Sequence, residues 1–355
     1  MGWCWLQWKK IPALPSPDPA TPLPGFTVII PARNEAATIA RLLEALQTQQ
    51  YPQELYDCIV VDDESEDDTA RVVGRFPRVQ LIQPGTATTL AHKKRAIAAG
   101  VAAAKREWIV CTDADCVPGP QWLATLADCI RTRQPVFIVA PVHIPAGSSG
   151  VQIFQSIDFM LMQGITGATV SANRLTLCNG ANLAYRKEVF AEVNGFAGVD
   201  QIASGDDMLL LYKIWRQYPD RISYLGAEQA IVKTDPVPGW PAFFRQRLRW
   251  ASKARAYEDR RIFPLLLLVY LVNLSFPLLL IAGFRNRHYW IALGIGLLLK
   301  LLVEWPLFSA LRRFFRARGL AVWFVLLQPL HIVYIIISGL LGQSGSYTWK
   351  GRRVR

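Results

Sequence analysis

The chain has 355 residues, 52% of them hydrophobic, and a mean hydropathy of +0.20: too apolar for a disordered segment and too long for a small disulfide scaffold. Its net charge of +12 fits either a nucleic-acid binder or a membrane protein with a positive-inside bias. Dividing the chain after Gly239 separates these readings. Residues 240–355 hold 18 Lys and Arg against 3 Asp and Glu, leaving 21 against 24 in residues 1–239, which is +15 against −3. The positive excess accompanies the apolar half, so lipid headgroups are its expected partner and no nucleic acid is called for.

Residues 1–25 read as a membrane-proximal stub followed by a tether, because a basic pair follows the first apolar stretch and six prolines fall within residues 12–25. Six cysteines without a C-x-x-C pair read as reduced thiols. From residue 26, short β-rich apolar runs alternate with helix-period segments. Residues 26–30, 58–61, 79–82, 108–111 and 136–140 are predicted strands. Ile39, Leu42, Leu43 and Leu46 mark one helix face, and further helices are expected after Thr69 and over residues 90–104 and 122–130. Strands that are apolar throughout and separated by helices imply an α/β fold with a mostly parallel central sheet covered on both faces.

Three of these strands end in polar loops: Pro31-Ala32-Arg33-Asn34-Glu35, Asp62-Asp63-Glu64-Ser65 and Asp113-Ala114-Asp115. Ligands of open α/β sheets bind beyond the carboxyl ends of the strands, so the three loops are expected to share one crevice. Asp113 and Asp115, two carboxylates one residue apart after a buried strand, repel each other unless a cation lies between them or one is protonated, and Mg²⁺ or Mn²⁺ suits such oxygen donors. Asn179, Gly180 and Asn182 follow, then Asp206-Asp207 ahead of a helix, in the run from Ser204, where the pair either complements the helix dipole or supplies a catalytic carboxylate.

Residues 240–262 are predicted as an amphipathic helix in the bilayer interface. Phe243, Phe244, Leu248 and Ala251 form its apolar side, and Gln246, Arg249, Trp250 and Lys253 share another. Within residues 263–344 three spans are expected, at 263–284, 289–311 and 319–341. The first is 22 residues without a charge, about 33 Å as a helix. Lys300 and Glu304 are expected to pair at i, i+4, and His331 reads as a helix-packing residue. Arg312, Arg313, Arg316 and Arg318 mark a cytoplasmic loop. Three full crossings would then put the basic tail, residues 345–355 with Lys350, Arg352, Arg353 and Arg355, on the opposite side, against the same bias.

Taken together, the motifs resemble the family 2 glycosyltransferases with the GT-A fold, the group of cellulose, chitin and hyaluronan synthases and ceramide glucosyltransferases. The resemblance implies a GT-A catalytic domain over residues 26–239. It implies a nucleotide-sugar site of Pro31, Ala32, Asn34, Glu35, Asp62, Asp63, Lys93, Asp113, Gln246, Arg249 and Trp250, the last three in a Q-x-x-R-W motif. Asp113 and Asp115 would be the metal-binding D-x-D, Asp207 the base with Asp206 beside it, and Asn179, Gly180 and Asn182 the acceptor side. Glu64 and His92 stand where the family usually has Gly. The implied activity is inverting transfer from a nucleotide sugar, UDP-linked by preference, to a lipid-linked or glycan hydroxyl. It would be carried out by a multi-pass inner-membrane protein with a cytoplasmic catalytic domain. The alternatives are a processive synthase acting as a homo-oligomer or with an export partner, a phosphatase of the haloacid dehalogenase type with Asp113 as nucleophile, and a non-catalytic sugar-nucleotide-binding membrane protein.

Overall fold

A computed structural model describes residues 1–85, 92–174, 176–199, 205–252, 262–341, 347–349 and 352–354. Ser204, Lys253, Lys350 and Arg355 lie outside them, as do residues 90–91 of the expected helix and 253–261 of the expected interfacial segment. In chain order the elements are α1 (Gly2–Lys9), β1 (Phe26–Ala32), α2 (Ile39–Gln47), β2 (Tyr56–Asp62), α3 (Thr69–Val73), β3 (Val79–Ile82), α4 (His92–Ala103), β4 (Trp108–Cys111) and β5 (Cys116–Pro118). Then follow α5 (Trp122–Arg133), β6 (Phe137–Val139), β7 (Val142–His143), α6 (Gly150–Ser171), β8 (Leu183–Arg186), α7 (Lys187–Glu192), α8 (Asp206–Gln217), β9 (Ile222–Tyr224) and β10 (Val232–Thr234). The C-terminal part comprises α9 (Gly239–Ser252), α10 (Ile262–Gly283), α11 (His288–Phe314), α12 (Leu320–Leu326), α13 (Gln328–Leu341) and the hairpin β11 (Tyr347–Trp349) and β12 (Arg352–Val354).

The main sheet has the order β3-β2-β1-β4-β8-β6-β9. Strands β3, β2, β1 and β4 run parallel, and β8 alone is antiparallel to its neighbours β4 and β6. The register positions the site. Ala32 pairs with Asp62, and Ile29 with Cys111, so the first, second and fourth strands release their polar loops along one edge. Because β8 is reversed, Leu183 pairs with Cys111, and the residues entering β8, Asn179 to Asn182, arrive at that same edge. Alternate strand residues feed two apolar layers: Val28, Ile30 and Val60 on one face with α2 and α5, Ile29, Ile59 and Ile109 on the other with α4 and α8. The cysteines are free, and burial pushes the Cys58 thiol up to about 12, as expected of inert core thiols.

The sequence pattern assigns nothing to residues 150–171, which form α6, a 22-residue helix begun by a Ser149/Gln152 capping box and buried on nearly every side. It lies between the sheet domain and the C-terminal helices. Leu311 of α11 packs directly onto Gly164, Phe315 stacks on His143 at 4.9 Å, and Arg316 pairs with Glu228 at 2.6 Å. The end of α11 is thereby docked on the sheet domain. Helices α10 and α11 are long and apolar enough to cross a membrane, and Leu268, Leu298 and Leu302 point outward from them. The expected third span is made of two helices: α12 and α13 meet at a 60° bend, a broken span or a re-entrant pair, where Pro329 in the first turn of α13 has no N–H to continue a single helix.

Candidate active site

The first two loops are tied together by a buried arginine. Arg33 Nη1 donates to the Asp63 carbonyl at 2.8 Å and to the Glu64 carbonyl, while Nη2 reaches Glu66 at 2.8 Å. Asn34, at φ +52°, donates its N–H to Ser65 Oγ at 2.9 Å and accepts from the Glu66 N–H at 2.8 Å. The Glu35 N–H reaches Thr69 Oγ1, and Pro31 and Ala32 close the strand beneath. Glu64 holds φ +60°, a left-handed conformation that favours glycine, which accounts for the residue usual there in the family resemblance. Asp62 accepts from the Ser65 N–H at 3.0 Å and from Gln83 at 3.1 Å, and Asp63 is paired to Arg95, both side chains buried. The two acids thus shape the loop from inside. Arg33 and Arg95 are the organisers that motif reading passed over, although each arginine stands within or beside a motif.

The acidic centre forms around Lys93, in the first turn of α4. Its ammonium lies 2.6 Å from Asp113 and 3.9 Å from Asp206. Burial alone would lower this lysine, but Asp113, Asp206 and Asp207 outweigh it and hold the ammonium above its ordinary value. Asp206 and Asp207 open α8, where Gly205 at φ +82° turns the chain into the helix, so their charges complement the helix N-terminus. Asp207 accepts the Gly180 N–H at 2.9 Å and the Met208 N–H at 2.9 Å. A Cβ on Gly180 would stand 3.3 Å from Lys93 Nζ and 3.6 Å from Asp207, which shows how closely this backbone approaches the cluster. Asp113, Lys93, Gly180, Asp206 and Asp207 are therefore brought together from four separate segments.

Asp115 sits in the same loop as Asp113, with the Cys116 thiol 3.5 Å from its Oδ1. No cluster of three or more metal-binding side chains occurs among the described residues. The chemistry of the centre nonetheless fits a hard cation: carboxylates outnumber the lysine, and an ammonium already rests against Asp113 where positive charge is drawn. Asn179 accepts from the Ala181 N–H at 3.0 Å. Asn182 departs from its expected acceptor-side role. It is fully buried, accepts from Trp122 Nε1 at 3.0 Å and donates to the Pro141 and Ala230 carbonyls at 2.8 Å each, so its polar atoms join scaffold segments.

Helix α9 also departs from expectation. Its most buried residues are Phe243 and Arg247, one turn apart, and they face α6 and α13. Arg247 pairs with Asp158 of α6 at 2.8 Å. Trp250 packs on Phe159 at 5.9 Å and against the apolar layer that contains Ala114, Cys116 and Ala181 from the Asp113 and Gly180 loops. Arg249 is half-buried, and Gln246 Oε1 is buried with no hydrogen-bond partner among the described residues.

The family profile described as "Glycosyl transferase family 2" matches residues 27–193, from β1 through α7. Residues 27–193 thus resemble glycosyl transferase family 2. A match that takes in the strands β1, β2 and β4 with their loops speaks against the haloacid dehalogenase reading. Curated proteins of similar sequence include glycosyltransferase AglE of Haloferax volcanii, 27% identical over 193 residues that cover 52% of this chain and 60% of that protein. The probable glycosyltransferase YdaM of Bacillus subtilis is 25% identical, over 64% of this chain and 55% of its own. The poly-beta-1,6-N-acetyl-D-glucosamine synthase of Staphylococcus epidermidis is 21% identical, over 68% and 57%. The chain thus spans little more than half the length of these relatives. Among solved structures, the mannosyltransferase PcManGT from Pyrobaculum calidifontis, in complex with GDP-Man and Mn²⁺, shares the fold with a TM-score of 0.54 at 22% identity, over 96% of this chain and 92% of that one. The GT-A-like α/β architecture is thereby established for this domain.

Proposed function

We propose that the protein transfers a sugar from a nucleoside diphosphate sugar to a hydroxyl of a lipid-borne acceptor, with inversion at the anomeric carbon. The observation that carries this reading is the convergence of Lys93, Asp113, Asp206, Asp207 and Gly180 at the carboxyl edge of the parallel strands. The loops from Pro31 to Glu35 and from Asp62 frame the nucleoside. Asp207, held in place by the Gly180 N–H, accepts the proton of the acceptor hydroxyl as that oxygen attacks. Lys93 and Arg249 offset the negative charge that grows on the departing diphosphate. Asp113 and Asp115 are the residues that would hold Mg²⁺ or Mn²⁺, which supplies further positive charge to the leaving group when bound. One base and a stabilised leaving group fit a single displacement.

We place α10 and α11 across the membrane as a hairpin, with the catalytic domain on the cytoplasmic side. The Arg316–Glu228 pair and the Phe315–His143 stack support a common side for the arginine-rich loop and the catalytic domain. If α12 and α13 enter and return through their 60° bend, the basic tail falls on that side too, and the parity conflict of three crossings disappears. Similarity to a polysaccharide synthase favours a second reading, polymer synthesis, for which so few helices would need further copies or an export partner to enclose a chain.

Incubating the membrane-embedded protein with radiolabelled nucleotide sugars and extracting the lipids tests the proposal. Label of low mass in the organic phase is the expected result. A high-mass ladder would instead favour the polymer synthase, and no transfer from any donor would reject both.

A further inference from the structure

Arg247 occupies an unspecified position of the Q-x-x-R-W pattern, yet it is among the largest fully buried side chains of the protein. Its guanidinium lies 4.2 Å from the Trp250 ring centroid and 4.9 Å from that of Phe243, sandwiched in the way a planar cation favours. Asp158 of α6 supplies the opposite charge at 2.8 Å, with side-chain exposures of 1% and 6% for the two partners. Burial pushes the Asp158 carboxyl up while Arg247 opposes the shift. From the other side, His331 Nε2 of α13 stands 3.9 Å from Asp158 Oδ1. A small cavity of about 10 Å³ is lined by Asp158, His331, Gln328 and Glu304 among apolar side chains. Glu304 in turn accepts from Gln328 at 3.1 Å and from Lys300 at 2.5 Å. His331 thus brings α13 to the side chain of α6 that Arg247 of α9 pairs with.

We propose that Asp158 and Arg247 are a positioning pair, which fixes the Trp250 ring against the crevice and couples it to the packing of α13. This rests on the reading of Gln246, Arg249 and Trp250 as one wall of the transferase site. A pair serving only stability would be replaceable by apolar residues of similar volume, since such exchanges are often neutral or stabilising. A positioning pair would not, because the flat cation that orients the indole would be gone.

The decisive comparison uses the full chain in nanodiscs, with Asp158→Leu, Arg247→Met, the double variant D158L/R247M, and Trp250→Ala. Either single variant leaves a charge buried alone and is expected to lose thermal stability. The double variant is expected to recover its melting temperature and to bind nucleoside diphosphate within about twofold of wild type, while sugar transfer stays at least about tenfold down. Arg247→Lys, which keeps the charge but loses the plane, should also stay low in transfer. A double variant that regains both melting temperature and transfer, while Trp250→Ala is impaired, overturns the positioning role alone. Full transfer by both Trp250→Ala and the double variant overturns the underlying reading of α9 as well.

Discussion

Two charged clusters divide the labour of this molecule, and they are built on opposite rules. Around Lys93 the lysine and Asp113 are part-exposed, 25% and 35%, with Asp206 buried beneath them, and acids outnumber the single cation. Around Arg247 they are 1% and 6% exposed and the charges match one for one. An under-neutralised cluster with an opening to solvent is poised to take in another cation. A balanced pair sealed in apolar surroundings exchanges nothing and is suited to hold neighbours still. The contrast separates residues that meet substrate from residues that aim them.

Four changes test that division, in decreasing order of effect. Asp115→Asn should lower transfer by about 10³-fold and raise the Mn²⁺ concentration needed for half-maximal rate, as read from initial rates over a metal titration. Transfer indifferent to both the substitution and chelation would remove Asp115 from the centre. Arg95→Ala strands the buried Asp63 carboxylate and should cost about 3 kcal/mol in unfolding experiments. Little change there would mean that solvent reaches the pair. Lys93→Ala should slow transfer by about 10²-fold while the fold survives, because its partners Asp113 and Asp206 are acids of a part-open centre.

The smallest effect concerns pH. His143 lies under Phe315, and burial, then Lys233, lowers its pKa from 6.5 to about 4. The unfolded chain therefore binds the extra proton between these values, so stability is complete above pH 6.5 and falls as pH drops toward 4. At pH 5 the loss is about 2 kcal/mol. Thermal unfolding at pH 7.5 and pH 5 should reveal this difference, and His143→Gln should shrink it. An equal pH dependence in the variant would assign the effect elsewhere.

Much of the crevice was legible because its residues terminate short, wholly apolar strands, and strand ends in such a sheet have one address. The loops after β1, β2 and β4 were readable in this way. Other features depend on long-range placement. Strand β8 joins the sheet in reverse beside β4, which no local pattern encodes, and this insertion brings Gly180 to Asp207. Helix α6 is buried on nearly all sides and so lacks the polar face that makes a helix periodic. Arg247 belongs to neither helix side named from the sequence, because its partner, Asp158, lies 89 positions away in that unassigned helix. The bend between α12 and α13 was announced by Pro329, but hydropathy averaged over the segment concealed it.

The central claim is that Asp207 acts as the base of a glycosyl transfer. Sugar transfer and nucleoside diphosphate binding measured side by side on wild type and Asp207→Asn test it most directly. The account predicts transfer reduced by about 10³-fold or more with nucleotide affinity essentially kept; undiminished transfer by the variant would contradict it.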